Sequence, residues 1–260
     1  MVSQYFAQLL EQYILDPTGV LPYAYWKARI RIASEESDYF VSENDLQWIY
    51  GAKGDCMDFA WQKEDHSEIP LNQLASKFEV MMINERMLDI FNVPFMKRTP
   101  FFKLKHDLKQ VKPVILPEGY HFADAVLPDD IHIISEFISN CYAHIKPSEM
   151  TVLSWTKEPV FDLSLWVWLL DDNNNKIALG IADFDSSILE GALEWIQVHP
   201  DYRGLGAGQF IVEELLNRLK SKASFVTVSG EADNLTKPER LYRKCGFDGD
   251  SVWWVLERIK

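Results

Sequence analysis

A glycine-rich turn between a short apolar segment and an amphipathic helix constrains this chain more than any other stretch. Residues 193–198 form an apolar run typical of a strand, and His199-Pro200 ends it. The turn that follows reads Arg203-Gly204-Leu205-Gly206-Ala207-Gly208, and an amphipathic helix begins near its last glycine. The sequence therefore predicts a strand, a tight turn and a helix N-terminus in immediate succession.

Such a turn is suited to binding an anion. The first N–H groups of a helix lack partners, the helix dipole is positive there, and glycines carry no Cβ to keep a ligand away. We therefore expect phosphate or pyrophosphate to bind. The glycines alone leave three other interpretations open: a simple connector, a P-loop, for which no Lys-Ser or Lys-Thr follows, and a dinucleotide fingerprint, which needs glycine where Gln209 stands.

A second motif lies farther along the chain, after a strand-like run at residues 225–229. It reads Leu241-Tyr242-Arg243-Lys244-Cys245-Gly246-Phe247. Together with Arg203-x-x-Gly206-x-Gly208, which follows Val198-x-Pro200-x-Tyr202, it resembles the GNAT superfamily of acetyl-CoA-dependent N-acetyltransferases. The signature of that family is [Q/R]-x-x-G-x-[G/A] after the fourth strand and a late L-Y-x-K-x-G-F. The resemblance covers about residues 119–260.

The resemblance implies a mixed α/β fold, an α+β arrangement with helices on both faces of a mixed sheet. Residue patterns place strands at 120–126, 163–170, 176–184, 193–198, 225–229 and 251–258. Helices are expected at 129–144, 147–156 and 209–222, and a last helix starts at a capping box, Thr236-Lys237-Pro238-Glu239. We predict a GNAT domain at residues 118–260 and an N-terminal domain at 1–117, either an extension or a degenerate second copy of the fold.

The same resemblance implies where the coenzyme binds. In the family, the pantetheine arm lies between the diverging fourth and fifth strands, so Ile196 and Val198 become its main-chain partners, and the Val198 N–H polarises the thioester carbonyl. The pyrophosphate is expected to bind main-chain N–H groups of the turn, and the Arg203 guanidinium is expected to add positive charge. The residues of this set are Arg203, Gly204, Leu205, Gly206, Ala207, Gly208 and Gln209. Asn234 resembles the asparagine that holds the pantetheine amide, one position farther from the late tyrosine than is usual.

Two residues are expected to move protons. Tyr242 matches the tyrosine that the family often uses as general acid toward the coenzyme thiolate. Glu194 is the expected base for the attacking amine, because two-residue periodicity puts it on the strand face of Ile196 and Val198. A further acidic group near one hairpin end is a candidate for holding a cationic substrate: Asp183, Asp185 and Glu190.

Composition and charge exclude several classes of partner. The formal charge of −13 over 260 residues argues against a nucleic-acid surface and suits a cationic substrate. Three widely spaced cysteines and six histidines without ligand spacing predict no metal and no disulfide framework. No apolar run is long enough for a membrane span and the start lacks the form of a signal peptide, so we expect a soluble cytoplasmic protein, a monomer or a homodimer.

The first 117 residues carry weaker signals. Apolar spacing predicts a helix at 5–14, an extended segment at 29–32 and a helix at 71–91. The basic stretch 94–112 is interpreted as an edge strand whose lysines prevent aggregation, with contact to the coenzyme or an acidic partner as the alternative. Residues 112–119, which contain two prolines and a glycine, read as a linker.

Two functional hypotheses follow. The first is an N-acetyltransferase that uses acetyl-CoA as acyl donor and a primary amine of a small molecule or protein as acceptor, with direct attack in a ternary complex. The second is a non-catalytic acyl-CoA-binding module with a regulatory or interaction role. Turnover of acetyl-CoA separates the two.

Overall fold

A computed structural model of the protein describes residues 2–33, 38–42, 46–63, 76–90, 96–142 and 144–259. The chain forms two compact units. The first comprises Met1–Lys105, Ser229–Glu239 and Asp248–Lys260, and the second comprises His106–Val228 and Arg240–Phe247. The chain passes into the second unit twelve residues before the boundary predicted at 117, and two late segments return to the first.

The second unit contains a mixed sheet that begins at β6 (Tyr120–Asp124). It continues through β7 (Trp166–Asp171), β8 (Lys176–Asp185) and β9 (Glu190–Val198) to the first residues of β10 (Phe225–Glu231). Neighbouring strands are antiparallel except β9 and β10, which are parallel. The first five residues of β7 are all buried, as expected for a strand covered on both faces.

Helices cover both faces of this sheet. On one face, α3 (Ile131–Cys141) and α4 (Glu149–Trp155) pack through a shared apolar core that includes Ile134, Val152 and Trp168. Side chains at three- and four-residue intervals form the apolar face of α3. On the other face, α5 (Ala207–Leu219) lies so close to β8 that a Cβ at Gly180 would meet Ile211 at 2.5 Å.

A short helix, α6 (Pro238–Lys244), carries the second sequence motif. It begins one residue later than a capping box at Thr236 predicts, because the Thr236 hydroxyl donates to Asn234 Oδ1 and Lys237 adopts a positive φ of 51°. From residue 120 onward, every predicted strand and helix exists, and most boundaries fall within three residues of the prediction. The mixed sheet with helices on both faces is therefore confirmed.

In its described residues, the first unit contains α1 (Val2–Leu15), α2 (Tyr25–Ala33), six strands and the last residues of β10. The strands are β1 (Asp38–Val41), β2 (Trp48–Lys53), β3 (Cys56–Gln62), β4 (Val80–Asn84), β5 (Met96–His106) and β11 (Asp248–Arg258), in the spatial order β1-β2-β3-β4-β11-β5. Strands β3 and β4 are parallel, and the other pairs from β1 to β5 are antiparallel. No helix in the described residues is long and apolar enough to cross a membrane.

Two predictions in this unit were wrong. Residues 29–32 belong to the helix α2, where the buried Tyr25 and Ala28 have helical spacing, so the local alternation of arginine and isoleucine is incidental. Within the predicted helix 71–91, the described residues form the strand β4 and a 3-10 turn at Glu85–Ile90. Sheet pairing on both sides of β4 overrides the helical spacing of its methionines. Residues 71–75 and 91 lie outside the described residues.

The basic stretch is a strand, as predicted, but it is not an edge. β5 pairs with β11 along one side, and on its other side Pro100 O accepts from the Ala232 N–H at 2.8 Å. Lys103 is 1% exposed, and its Nζ donates to Leu21 O and Tyr23 O, both at 2.8 Å, and to the Tyr13 hydroxyl at 3.2 Å. Lys103 thus fixes the chain between α1 and α2 onto β5, and it does not serve to keep a sheet edge soluble.

Replacing Lys103 by methionine tests this role. Lys103→Met leaves two buried carbonyls and a hydroxyl without their charged donor, so we expect the free energy of unfolding to fall by about 3 kcal/mol. The matched control is Lys97→Met on the same strand, where the ion pair with Glu257 is largely exposed and the expected loss is under about 1 kcal/mol. Urea unfolding followed by circular dichroism measures both, and equal losses would contradict the assignment.

Candidate active site

The candidate site begins where β9 and β10 stop pairing. Their parallel register runs from Glu190 opposite Phe225 to Leu193 opposite Val228. β9 continues to Val198 and β10 continues to Glu231, with no further pairs between these two fully described strands. The second half of β9 is therefore left with one side open.

The open side of β9 presents main-chain hydrogen-bonding groups. On its other side β9 pairs with β8, and the His199 N–H donates to Ile177 O at 2.9 Å. Bonded and non-bonded residues alternate along an antiparallel pair. The main-chain groups of Gln197 therefore point toward β8, and those of Ile196 and Val198 point away from β8.

A β-bulge at Glu194 interrupts the alternation of side chains along β9. Ile181 lies opposite Trp195, whereas Ala182 lies opposite Leu193, so Glu194 has no residue opposite it on β8. The bulge breaks regular alternation at Glu194, so two-residue periodicity alone does not fix which face of β9 its side chain takes. Glu194 is half-buried and takes part in interactions of its own.

The glycine turn lies directly after β9. Gly204 and Gly206 have φ angles of 81° and 88°, and Gly206 is the N-cap of α5 in the left-handed conformation, which favours a residue without Cβ. At Gly208 the reason for glycine is close packing, because a Cβ there would lie 3.1 Å from Leu241 Cδ2 and 3.4 Å from Val198 Cγ2. The turn, the end of β9 and α6 therefore meet at Gly208.

Five successive N–H groups of the turn, from Gly204 to Gly208, have no acceptor within the part of the chain that the structure describes. The first and last residues of the predicted set, Arg203 and Gln209, instead donate their N–H groups to carbonyls of the protein. Arg203 N–H donates to Pro200 O at 3.4 Å, and Gln209 N–H donates to Gly206 O at 2.9 Å. Open N–H donors at the N-terminus of a helix are an arrangement that can bind an anion.

The Arg203 side chain does not extend freely into solvent. Its Nε donates to Val198 O at 3.4 Å and its Nη2 donates to Cys141 O at 3.1 Å. Cys141 Sγ also donates to Val198 O at 3.5 Å. These contacts were missed by the motif analysis, because a sequence motif carries no information on which distant helix end it faces.

Tyr242 lies on α6 and is 7% exposed, with its ring against Phe247 at a centroid distance of 5.8 Å. Burial, and then the neighbouring Tyr142 and Cys245, raise the pKa of the Tyr242 phenol well above its usual value. The phenol is therefore neutral over the working range of an enzyme and keeps a proton to donate. Nearby, Gln197 Nε2 donates to the Tyr142 hydroxyl at 2.8 Å, a contact that sequence reasoning also missed.

Asn234 shapes its own loop in the first unit. Its Oδ1 accepts from the Thr236 N–H at 2.9 Å and from the Thr236 hydroxyl at 2.7 Å. Its main-chain carbonyl accepts from the Lys237 N–H at 2.9 Å. The side-chain oxygen is thus already engaged in a turn that leads into α6.

The acidic group proposed for substrate binding lies at the start of β9. Asp185 and Glu190 are opposite each other and are 2% and 1% exposed. Glu190 Oε1 accepts from the Thr227 hydroxyl at 2.7 Å, and Asp185 Oδ1 accepts from the Ser187 N–H and hydroxyl. Glu190 and Val198 are the two ends of β9, about 26 Å apart along the strand, so this group is separate from the glycine turn.

The cysteines are not activated nucleophiles. Burial raises the pKa of the Cys56 and Cys141 thiols, and it raises the pKa of Cys245 to about 12. A thiol acts as a nucleophile through its thiolate, which a raised pKa disfavours. No group of three or more histidine, cysteine, aspartate or glutamate side chains in the described residues is arranged to hold a metal ion.

Comparison with known proteins identifies a family domain within the chain. Residues 164–248 match the family model described as "Acetyltransferase (GNAT) domain". The curated "Uncharacterized N-acetyltransferase ycf52" of Porphyra purpurea is 30% identical over 112 residues, a match that spans 38% of this chain and 62% of that relative. Residues 164–248 therefore carry a GNAT acetyltransferase domain, and the resemblance seen in the sequence is confirmed for this region.

Solved structures extend the likeness of fold beyond that region. An "Acetyltransferase from GNAT family" of Colwellia psychrerythraea has a TM-score of 0.66 at 12% identity, and the match covers 98% of this chain and 97% of that chain. A GCN5-related N-acetyltransferase of Sphaerobacter thermophilus has a TM-score of 0.65 at 14% identity, covering 84% and 78%. A "Tandem GNAT protein from the clavulanic acid biosynthesis pathway" has a TM-score of 0.62 at 10% identity, covering 98% and 94%.

Proposed function

We propose that this protein transfers an acetyl group from acetyl-CoA to a primary amine of a small molecule or a protein, by direct attack of the amine in a ternary complex. The observation that carries the proposal is the end of β9, which has no strand beside it on one side and is followed at once by five open N–H donors. An extended ligand with a diphosphate at one end complements both features.

The diphosphate of the coenzyme is assigned to the turn. The donors of Gly204 to Gly208 lie at the N-terminus of α5, the positive end of its dipole, where an anion is stabilised by about 1 kcal/mol or less. Charge-assisted hydrogen bonds from main-chain N–H groups add to this term. The Leu205 side chain is 64% exposed and does not obstruct them.

The pantetheine arm is assigned to the gap beside β9. Its amides can pair with the outward-facing main-chain groups of Ile196 and with the Val198 N–H, as an added strand would, whereas the Val198 carbonyl already accepts from Arg203 and Cys141. The Val198 N–H then lies where it can donate to the thioester carbonyl, which stabilises the charge that develops on that oxygen during attack. Asn234 remains our candidate for holding a pantetheine amide through its side chain.

Direct attack is favoured over an acetylated cysteine. Cys141 contacts Val198 O, but burial raises its pKa, so it is a poor nucleophile in this state. The amine must then lose a proton, for which Glu194 is our candidate, directly or through water. Tyr242, kept neutral by burial, is our candidate for protonating the departing coenzyme thiolate.

For the N-terminal region we propose a degenerate GNAT-like copy that contributes regulation or protein contacts. The fold is similar to that of a tandem GNAT protein over 98% of this chain, which supports this view. The parallel strands β3 and β4 of the first unit also repeat the parallel relation of β9 and β10.

Two assays together test the proposed function. Acetyl-CoA binding is measured by calorimetry, and release of coenzyme thiol is measured over a panel of small amines and lysine peptides. We expect micromolar to millimolar binding and turnover with at least one amine. Binding without any turnover would establish the alternative, a non-catalytic acyl-CoA-binding module, and absence of binding would reject both.

The first variant addresses the turn. In Gly206→Val a β-branched side chain must adopt a φ near 88°, so the N–H groups of the turn rotate away from the phosphate position, and we expect no measurable coenzyme binding. Gly54→Val is the matched control, since Gly54 also has a positive φ, of 59°, with open space around it. Calorimetry on both folded variants gives the result, and parent-like affinity in Gly206→Val would refute the phosphate assignment.

The second variant removes the proposed acid. Tyr242→Phe keeps the buried ring and loses only the hydroxyl, so we expect normal acetyl-CoA binding and turnover at least roughly tenfold slower. Tyr5→Phe, which removes a hydroxyl on α1, should match the parent. Single-turnover kinetics isolate the chemical step, and parent-like rates for Tyr242→Phe in that step would reduce this residue to a packing role.

The third variant concerns the base. If Glu194 removes the amine proton, Glu194→Gln should lower turnover roughly 100-fold with coenzyme affinity retained. The loss should shrink as pH rises, because more of the free amine is then already neutral. A pH–rate profile is the measurement, and a profile parallel to that of the parent would assign the proton transfer to another group.

A further inference from the structure

Arg203 joins three elements around the proposed thioester position. It is the first residue of the glycine turn, its Nε contacts the last residue of β9 through Val198 O at 3.4 Å, and its Nη2 contacts the last residue of α3 through Cys141 O at 3.1 Å. The Cys141 thiol reaches Val198 O as well, at 3.5 Å. One side chain therefore links the turn, the strand and the helix end.

The planar guanidinium is suited to this task. Its Nε–H and Nη2–H are held in a rigid fork, so the two carbonyl oxygens are positioned relative to each other as well as to the turn. The Cys141 carbonyl is among the last carbonyls of α3, which lack intrahelical donors and carry the negative end of the helix dipole. No basic residue stands in the last turn of α3 itself, so Arg203 supplies the cation from another segment.

Holding the Val198 carbonyl also sets the direction of the Val198 N–H. The two groups flank the same Cα and point to the same side of the strand, away from β8. A bulge precedes this segment at Glu194 and no β10 pairing supports it on the open side. Within the described residues, Val198 O accepts from Arg203 Nε and from the Cys141 thiol. These two contacts hold this end of β9 on its open side.

We infer that Arg203 is a positioning residue that holds the Val198 peptide in place for the thioester carbonyl, and not primarily a charge for the coenzyme phosphates. This inference rests on the proposed function, because it assigns the Val198 N–H to the acetyl donor. It revises the sequence expectation that the guanidinium adds charge at the pyrophosphate. Two of its nitrogens are instead engaged by protein carbonyls.

Two acetyl donors separate the two roles. Acetyl-CoA carries phosphates, whereas S-acetylpantetheine carries the same thioester and arm without any phosphate. A positioning role predicts that Arg203→Ala and Arg203→Lys both lower kcat at least roughly tenfold with either donor, because a single ammonium cannot reproduce the fork. The control is Lys220→Ala, which removes one exposed positive charge at the far end of α5 and should match the parent.

Amide hydrogen exchange of the free protein gives a readout that needs no turnover. We expect the protected N–H groups of His199 and Tyr202, which bracket the base of the turn, to exchange at least roughly tenfold faster in both Arg203 variants than in the parent. Lys220→Ala should leave them unchanged.

The outcomes are distinguishable. A phosphate role would raise the KM of Arg203→Ala for acetyl-CoA only, leave its kinetics with S-acetylpantetheine unchanged, and give Arg203→Lys parent values. That result would overturn the inference. Parent-like exchange in Arg203→Lys would overturn it even if S-acetylpantetheine is not turned over. A parent protein that neither binds nor turns over acetyl-CoA would reject the proposed function, whereas the other results bear on Arg203 alone.

Discussion

The early end of pairing between β9 and β10 is the constraint on which the site depends. Main-chain N–H and C=O groups that leave a sheet must find other partners, since an unpaired buried polar group costs about 1–3 kcal/mol. Past Leu193, β9 keeps only β8 on one side, and the outward groups of Ile196 and Val198 have no strand to meet. On our proposal the coenzyme arm is the missing strand, so binding completes hydrogen bonding that the fold leaves open.

The surrounding elements keep this opening in a defined shape. Gly208 allows α5, α6 and the end of β9 to approach closely, and Gly206 turns the chain through a left-handed conformation into α5. Arg203 ties the turn back to β9 and α3. The open side of β9 and the five open N–H donors are consecutive in the chain. On our proposal, a ligand with an amide-bearing arm and a diphosphate is therefore recognised mainly by main-chain groups.

The sequence predicted the second unit well because local patterns and tertiary structure agree there. The strands after residue 120 are apolar runs bounded by turn residues, and the glycine turn has a steric reason at each of its key positions. What the sequence did not predict has physical causes that a pattern does not contain. Sheet pairing from distant segments made β4 a strand, the bulge at Glu194 broke a periodicity that assumed regular geometry, and the partners of Lys103 lie about 80 to 90 residues away in the chain. The contacts of Arg203 with Cys141 are non-local in the same way.

The most direct test of this account is a titration of the isotopically labelled protein with acetyl-CoA, followed by amide hydrogen exchange at single residues. The account predicts that the N–H groups of Ile196, Val198 and Gly204 to Gly208 exchange rapidly in the free protein and become protected together as the coenzyme binds. Saturable binding that leaves these amides unprotected, while others gain protection, would contradict the claim that the open main chain of β9 and its glycine turn receive the coenzyme.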